Sequence, residues 1–308
     1  MKPSSGRPSE QTLPPPRRAC NGLRNHKGPV LSVFVLLAVL GSALLHATWN
    51  SLVKIGTSRL GAMIILSLCE VPIGAAVAAF RAAPTPDVLP WVAGSGLAHF
   101  CYKFFLTYAY ERGDLSRVYP IARGTAPLVV AIFSGLVLAD VITFPEYLGI
   151  TVLGLGILLM AQGVFASGEN RRLIPFALGA AGATAVYTLI DGQGARIAGD
   201  AVGYVAWVFI VDGLGFALGM LAWKGPAIVP LDRNAWGRGA LAGAASYGAY
   251  GVSVWAMTLA PIALVAALRE TSILFAVLIG WLGFGERMTK GKVLAAAVIV
   301  TGVMLTRL

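Results

Sequence analysis

The sequence predicts an all-α integral membrane protein, with ten transmembrane helices in two inverted five-helix repeats around a central cavity. Its 308 residues are 57% hydrophobic and only 12% charged, whereas soluble domains carry about 25% charged residues. Apolar runs fill almost all of the chain after residue 30, and most match the ~20 residues of a membrane span. An internal repeat divides these runs into two sets of five.

Short connectors separate the apolar runs and hold most of the charged residues. None of them is large enough for a soluble catalytic domain. The ten predicted spans, in chain order, are 31–53, 60–80, 88–110, 118–139, 147–166, 173–192, 201–222, 237–258, 260–283 and 292–306.

The chain divides into a tail and two predicted repeats, 30–167 and 173–308. The tail, 1–29, is polar, basic and rich in proline, so it buries too little apolar surface to fold and is predicted to be disordered. The alternative is that it comes from an overextended translation start.

An ungapped alignment of the two repeats places Arg123 on Arg269 and the loop acid Asp140 on Glu286. Five spans per repeat is an odd number, so the second repeat enters the membrane inverted. Inverted repeats bind substrate near the middle of the membrane, where the two halves meet. The two arginines are therefore predicted to approach a substrate there.

Polar residues inside the spans are the candidates for function, because an ionisable group there costs at least about 2.5–3.5 kcal/mol and needs a cavity or a partner. The arginines suit an anionic group, and the aromatic side chains suit an apolar or cationic one. The predicted substrate-binding and translocation residues are His46, Trp49, Asn50, Tyr102, Lys103, Arg123, Tyr187, Asp191, Trp207, Asp212, Tyr250 and Arg269.

The buried acids have two alternative roles. Neighbours on a helix point about 100° apart, so Arg269 and Glu270 each need a partner elsewhere, and Asp191, Asp212 and Glu70 are candidates to neutralise Arg269. Alternatively, an acid balanced between burial and a nearby cation carries a proton. The candidate proton-coupling residues are Glu270, Asp191 and Glu70.

The sequence lacks the motifs that mark several other functions. The sequence contains no HExxH, GxSxG or Walker motif and no metal-ligand spacing, so it predicts no enzyme activity, cofactor or metal. The net charge of +10 comes from the tail and short loops and makes no stripe for nucleic acid. The expected partners are a small-molecule substrate, the lipid bilayer and a coupling proton; the sequence gives no oligomeric state.

Four segments carry a resemblance to a known family: LLHATWNSLVK (44–54), YAYERGDLSRVYPIARGTAP (108–127), VYTLIDGQGAR (186–196) and TLAPIALVAALRETSILFAVLIGWLGFGERMTKGK (258–292). The chain resembles ten-span transporters of the EamA type, in the drug/metabolite transporter superfamily, over about residues 31–308. In the first half, AD (139–140) replaces the usual GE step. Two segments, HATWN and GDLSRVYPIARG, are also similar to members linked to phosphonate use.

The resemblance implies a basket of inverted repeats that moves metabolites without ATP, usually outward, across the cell membrane, with both termini cytoplasmic. Our leading hypothesis is a secondary transporter that exports a small anionic or zwitterionic metabolite, such as an amino acid, by alternating access. One alternative is a membrane enzyme using the loop cluster Glu111, Arg112, Asp114 and Arg117. Another is a structural membrane subunit whose buried polar residues only tie helices together.

Overall fold

A computed structural model describes residues 32–54, 58–112, 126–137, 140–166, 172–285 and 288–307. Within these residues the chain is helical, with no strand and one short 3₁₀ turn, Pro226–Ile228. The helices are α1 (Val33–Lys54), α2 (Arg59–Ala78), α3 (Leu89–Tyr110), α4 (Ala126–Val137), α5 (Phe144–Ala166), α6 (Leu173–Ala198), α7 (Ala201–Lys224), α8 (Arg233–Met257), α9 (Ile262–Arg269), α10 (Ser272–Phe284) and α11 (Lys290–Leu305).

The connectors supply the residues that begin and end these helices. Ser58, Asp200, Asp232 and Thr289 each accept a hydrogen bond from a backbone N–H of the first turn of α2, α7, α8 and α11, which is the usual role of an N-cap. Gly199 ends α6 in the left-handed conformation, at φ 68°, where glycine is favoured.

The predicted tail, 1–29, lies outside the described residues.

Two predicted spans differ from the structure. The sixth was predicted to end at residue 192, but α6 continues to Ala198 because the polar side chain of Asp191 is buried rather than solvated. The ninth is two helices. Glu270 N and Thr271 N donate to carbonyls three residues back, so a tight 3₁₀ connection separates α9 from α10.

The outer surface of the bundle suits lipid. Among the described residues, five helical segments are long and apolar enough to cross a membrane: Val33–Val53, Arg59–Ala78, Leu173–Ala198, Ala201–Lys224 and Ile262–Gly283, the last of which contains both α9 and α10. Helices α3 and α8 fall outside that set, yet each exposes a leucine, Leu97 and Leu241, by more than half. Large exposed apolar side chains of this kind mark a membrane-facing surface.

The helix packing has the symmetry of a duplicated chain. Helix α1 packs on α8, and its counterpart α6 packs on α3. Helix α2 packs on its own counterpart α7, and α5 packs on α11. Exchanging the two halves therefore leaves this set of contacts unchanged, which places a pseudo-two-fold axis between α2 and α7.

Helices α5 and α11 approach closely through glycines. A Cβ added at Gly302 would lie 2.5 Å from the backbone nitrogen of Leu153, and one added at Gly149 would lie 2.5 Å from Thr306 Cγ2. Small residues at such contacts let helix backbones pack tightly in lipid. This glycine contact therefore joins the last helix of each half.

An ion pair joins Asp140, in the connector before α5, to Arg196, in the last turn of α6. Arg196 Nη1 donates to Asp140 Oδ1 at 2.7 Å, and its other nitrogens donate to the carbonyls of Met257 and Ala260. Asp140 Oδ2 also accepts from the backbone N–H of Ile262, at the start of α9. One aspartate of the first half thus ties together three segments of the second.

Candidate functional site

A cavity lies between the two halves, near the pseudo-two-fold axis. Most of the predicted substrate-binding residues line it, together with Glu70, one of the predicted proton-coupling residues. The lining residues are His46, Trp49, Met63, Leu66, Glu70, His99, Tyr102, Lys103, Tyr187, Phe209, Asp212, Ser246, Tyr250 and Arg269.

A larger cavity, of about 90 Å³ against about 30 Å³, lies at one end of the bundle. It is formed where α1 ends and where α2 and α8 begin. Its ionisable lining residues are Asp232 and Arg238, both at the exposed start of α8. We place the functional site at the central cavity, because there the costly buried charges are gathered.

Lys103 is the centre of a buried ion cluster. Its Nζ lies 2.6 Å from Asp212 Oδ2 and 2.9 Å from Glu70 Oε2, and it donates to Ser67 Oγ at 2.8 Å. These side chains come from α3, α7 and α2, and all are nearly inaccessible. The cluster therefore joins the two halves at the axis.

The expected pairing of Glu70 and Asp212 with Arg269 is wrong. Both acids bind Lys103 instead. Lys103, Glu70 and Asp212 were all predicted to lie in the interior, but Ser67 was not. Ser67 precedes Glu70 by one helical turn and shares its face, and this spacing could have indicated that Ser67 joins the cluster.

Asp191 forms a second polar cluster and is also not a partner of Arg269. Its Oδ1 accepts from the Tyr204 hydroxyl at 2.9 Å. Its Oδ2 lies 3.0 Å from His99 Nε2 and also accepts from the Tyr250 hydroxyl. Three side chains thus contact this carboxylate, which lies behind the cavity lining rather than in it. Asp191 therefore holds its neighbours in position and does not itself face the cavity.

Arg269 is the charged group in the lining that lacks a matching charge. Its side chain is buried, and its guanidinium carbon lies 5.0 Å from the ring centre of Tyr250, a cation–π distance. Within the described residues it makes no hydrogen bond or ion pair. Arg269 is the last residue of α9, directly before the 3₁₀ connection. The guanidinium is therefore held by an aromatic face and available to a ligand.

Of the predicted residues on α1, only some line the cavity. Trp49 Nε1 donates to His46 Nδ1 at 3.1 Å, so a neutral His46 carries its ring proton on Nε2. Asn50 instead donates to its own helix, at the carbonyl of His46, and its Oδ1 accepts from Tyr110. The structure places His46 and Trp49 in the lining and Asn50 outside it.

Three more predicted residues stand apart from the lining. Trp207 packs against the hydrophobic core beside the cavity. Glu270 is buried at the connection between α9 and α10 and does not line the cavity. Arg123 lies outside the described residues, so its predicted place opposite Arg269 stays a prediction.

The loop cluster of the enzyme alternative is only partly described, because Asp114 and Arg117 lie outside the described residues. Glu111 and Arg112 stand at the end of α3, with 3.9 Å between Glu111 Oε2 and Arg112 Nη1. Arg112 donates back to the carbonyl of Tyr108. The described pair makes packing and capping contacts.

A duplicated helical bundle with an interior cavity lined by paired and unpaired charges is the architecture of a membrane transporter. The EamA-like transporter family model matches residues 33–162 and 171–308. The chain belongs to this family, and it is a multi-pass membrane protein.

Comparison with solved structures shows the same fold. One of them, described only as "Crystal structure of protein", superposes with a TM-score of 0.69 at 18% sequence identity. The match covers 89% of this chain and 98% of that one. No curated protein matches the chain.

Proposed function

We propose that the protein is a secondary transporter that exports a small anionic or zwitterionic metabolite, such as an amino acid, and that Arg269 binds its negative group. The observation that carries this proposal is a buried guanidinium that faces a cavity without a carboxylate partner. A buried charge is costly until a counter-charge reaches it. A guanidinium also matches a carboxylate or phosphonate through two parallel hydrogen bonds.

The charge of the lining favours a zwitterion over a simple anion. With both acids ionised, Glu70 and Asp212 match Lys103 and Arg269 in number of charges across the same cavity. A ligand that carries both signs leaves this balance intact. Aromatic faces in the lining, such as those of Trp49 and Tyr187, offer an ammonium group a cation–π surface.

Transport by this site requires the halves to move. The central cavity has a volume of about 30 Å³, and one water molecule needs about 10–15 Å³. A metabolite therefore enters only when helices separate. The exchange symmetry of the packing supports rocking of one half against the other. By analogy with the family, the termini face the cytoplasm and the protein lies in the cell membrane.

Binding by purified protein tests the proposal. Amino acids, phosphonates and organic acids are screened by thermal shift, and the best ligand is carried into binding and liposome flux measurements. Hydrogen bonds to charged groups contribute about 1.5–3 kcal/mol, so Arg269→Gln should weaken binding by about 10- to 100-fold. The matched control is Arg233→Gln, on the exposed start of α8.

Two results would contradict the proposal. One is unchanged binding and flux in Arg269→Gln protein that inserts and folds normally. The other is a screen in which no anionic or zwitterionic compound shifts the melting temperature of the wild-type protein. The structural-subunit alternative predicts that second result.

A further inference from the structure

We propose that Glu70 and Asp212 share one exchangeable proton beside Lys103, and that this cluster is the proton-binding site of the transporter. The inference rests on the proposed transport function for its role in coupling. The proton binding itself requires no substrate.

The charge count of the cluster is odd. One ammonium contacts two carboxylates, at 2.6 Å and 2.9 Å, and within the described residues no other cation forms an ion pair with either acid. With both acids ionised the cluster carries a net charge of −1 in an almost inaccessible place. One added proton makes it neutral, which is the favoured state in an apolar environment.

Each acid also has an oxygen left over. Glu70 Oε1 and Asp212 Oδ1 are buried and accept no hydrogen bond of normal geometry from the described residues, although the Ser246 hydroxyl lies near Glu70. A buried acceptor without a partner costs about 1–3 kcal/mol, and more when it is charged. The cluster thus has two places for a proton, one on each carboxyl, while Lys103 holds the opposite oxygens.

Other ionisable groups surround the cluster without replacing the proton. Those in the cavity lining are His46, His99, Tyr102, Tyr187, Tyr250 and Arg269. Asp191 and Tyr204 bind each other behind the lining, and Cys69 and Tyr247 belong to α2 and α8. Arg269 contacts the Tyr250 ring and His99 lies on Asp191, so neither neutralises Glu70 or Asp212.

The two acids occupy equivalent places in the two halves. Glu70 is the twelfth residue of α2, and Asp212 is the twelfth residue of α7. These helices pack on each other across the pseudo-two-fold axis. Each half therefore contributes one carboxyl to the surface along which the halves move, where a proton can be exposed to one side and then the other.

Lysine breaks the equivalence. Helix α3 contributes Lys103 to the cavity lining, whereas its counterpart α8 contributes Ser246 and Tyr250 and no second ammonium. A second lysine there would balance both acids and leave no proton to bind. A metal ion is a poorer occupant than a proton, because the ammonium already lies within hydrogen-bond distance of both carboxylates and repels a second cation.

Infrared spectroscopy of the full chain in liposomes tests the site without any transported substrate. Lowering the pH should raise a C=O stretching band of a buried protonated carboxyl in the wild-type protein. Glu70→Gln and Asp212→Asn should each lose that band, because the remaining carboxylate then balances Lys103. Lys103→Met should instead show the band at higher pH. The control Glu111→Gln, at an exposed position, should keep it.

Isotope labelling of the wild-type protein gives a test that does not depend on whether the variants fold. In wild-type protein the band should shift when either Asp or Glu carries ¹³C in its carboxyl group. The proposal is overturned if neither label shifts a pH-dependent band, or if both single variants keep the wild-type band. If the infrared band appears but the ligand screen finds no compound that binds at Arg269, the proposed function is contradicted and the proton site is not. If a compound binds at Arg269 but the band is missing, the proton site is contradicted and the proposed function is not.

Discussion

Replacing Lys103 by methionine should destabilise the protein more than removing either of the acids that it binds. Methionine keeps much of the length and apolar stem of lysine but removes the ammonium. Two buried carboxylates, Glu70 and Asp212, then face each other without a cation. Glu70→Gln, in contrast, leaves Lys103 and Asp212 as a neutral pair.

The magnitude follows from burial. The exposed fraction is 6% for the Lys103 side chain, 0% for that of Glu70 and 2% for that of Asp212, so water compensates little. Removing one partner of a buried ion pair typically costs about 3–5 kcal/mol. We expect Lys103→Met to fall in this range and Glu70→Gln to cost less, because the remaining pair keeps its contact at 2.6 Å.

Unfolding in mixed micelles, followed by circular dichroism, measures these differences. The matched control is Lys224→Met, at the exposed end of α7. The deficit of Lys103→Met should shrink as the pH falls, since protonation neutralises the stranded acids. Equal stability of Lys103→Met and Lys224→Met, or a deficit that does not respond to pH, would refute the reasoning.

Three further predictions use other contacts. Gly302→Ala should lower the free energy of unfolding by about 1–3 kcal/mol, because its Cβ meets backbone atoms of α5, whereas Gly182→Ala, which meets nothing within 4 Å, should be close to neutral. Arg196→Gln should cost about 1.5–3 kcal/mol by breaking its ion pair with Asp140, with the same unfolding measurement as readout. Tyr250→Phe keeps the ring under the Arg269 guanidinium, so ligand binding in the thermal-shift assay should weaken less than in Arg269→Gln.

The helices could be predicted from the sequence because apolar runs and polar connectors are local features. The break after Arg269 could not, since no glycine or proline marks it. It arises from 3₁₀ hydrogen bonds of Glu270 and Thr271, which replace the regular helical ladder. The exact end of α6 was missed because Asp191, a polar residue near the predicted end, is buried and contacted by polar side chains of other helices.

The site could be predicted as a set of interior residues but not as a set of pairs. Helical periodicity places Lys103, Glu70 and Asp212 inside, yet their contact depends on how three helices pack. An alignment of α2 with α7 alone would have revealed that Glu70 and Asp212 are equivalent. Glu70 and Asp212 coincide when α2 and α7 are aligned from their first residues, at a slightly smaller shift than the one that aligns Arg123 with Arg269.

The single lysine at the axis bears on how the two halves came to differ. A protein of two first halves would bring two lysines and two glutamates together, and a protein of two second halves would bring two aspartates together without a lysine. The first assembly is balanced, and the second has no cation at that position. In this chain the halves differ at Lys103, so one lysine lies between two acids. Neither pair of identical halves could contain this charge arrangement.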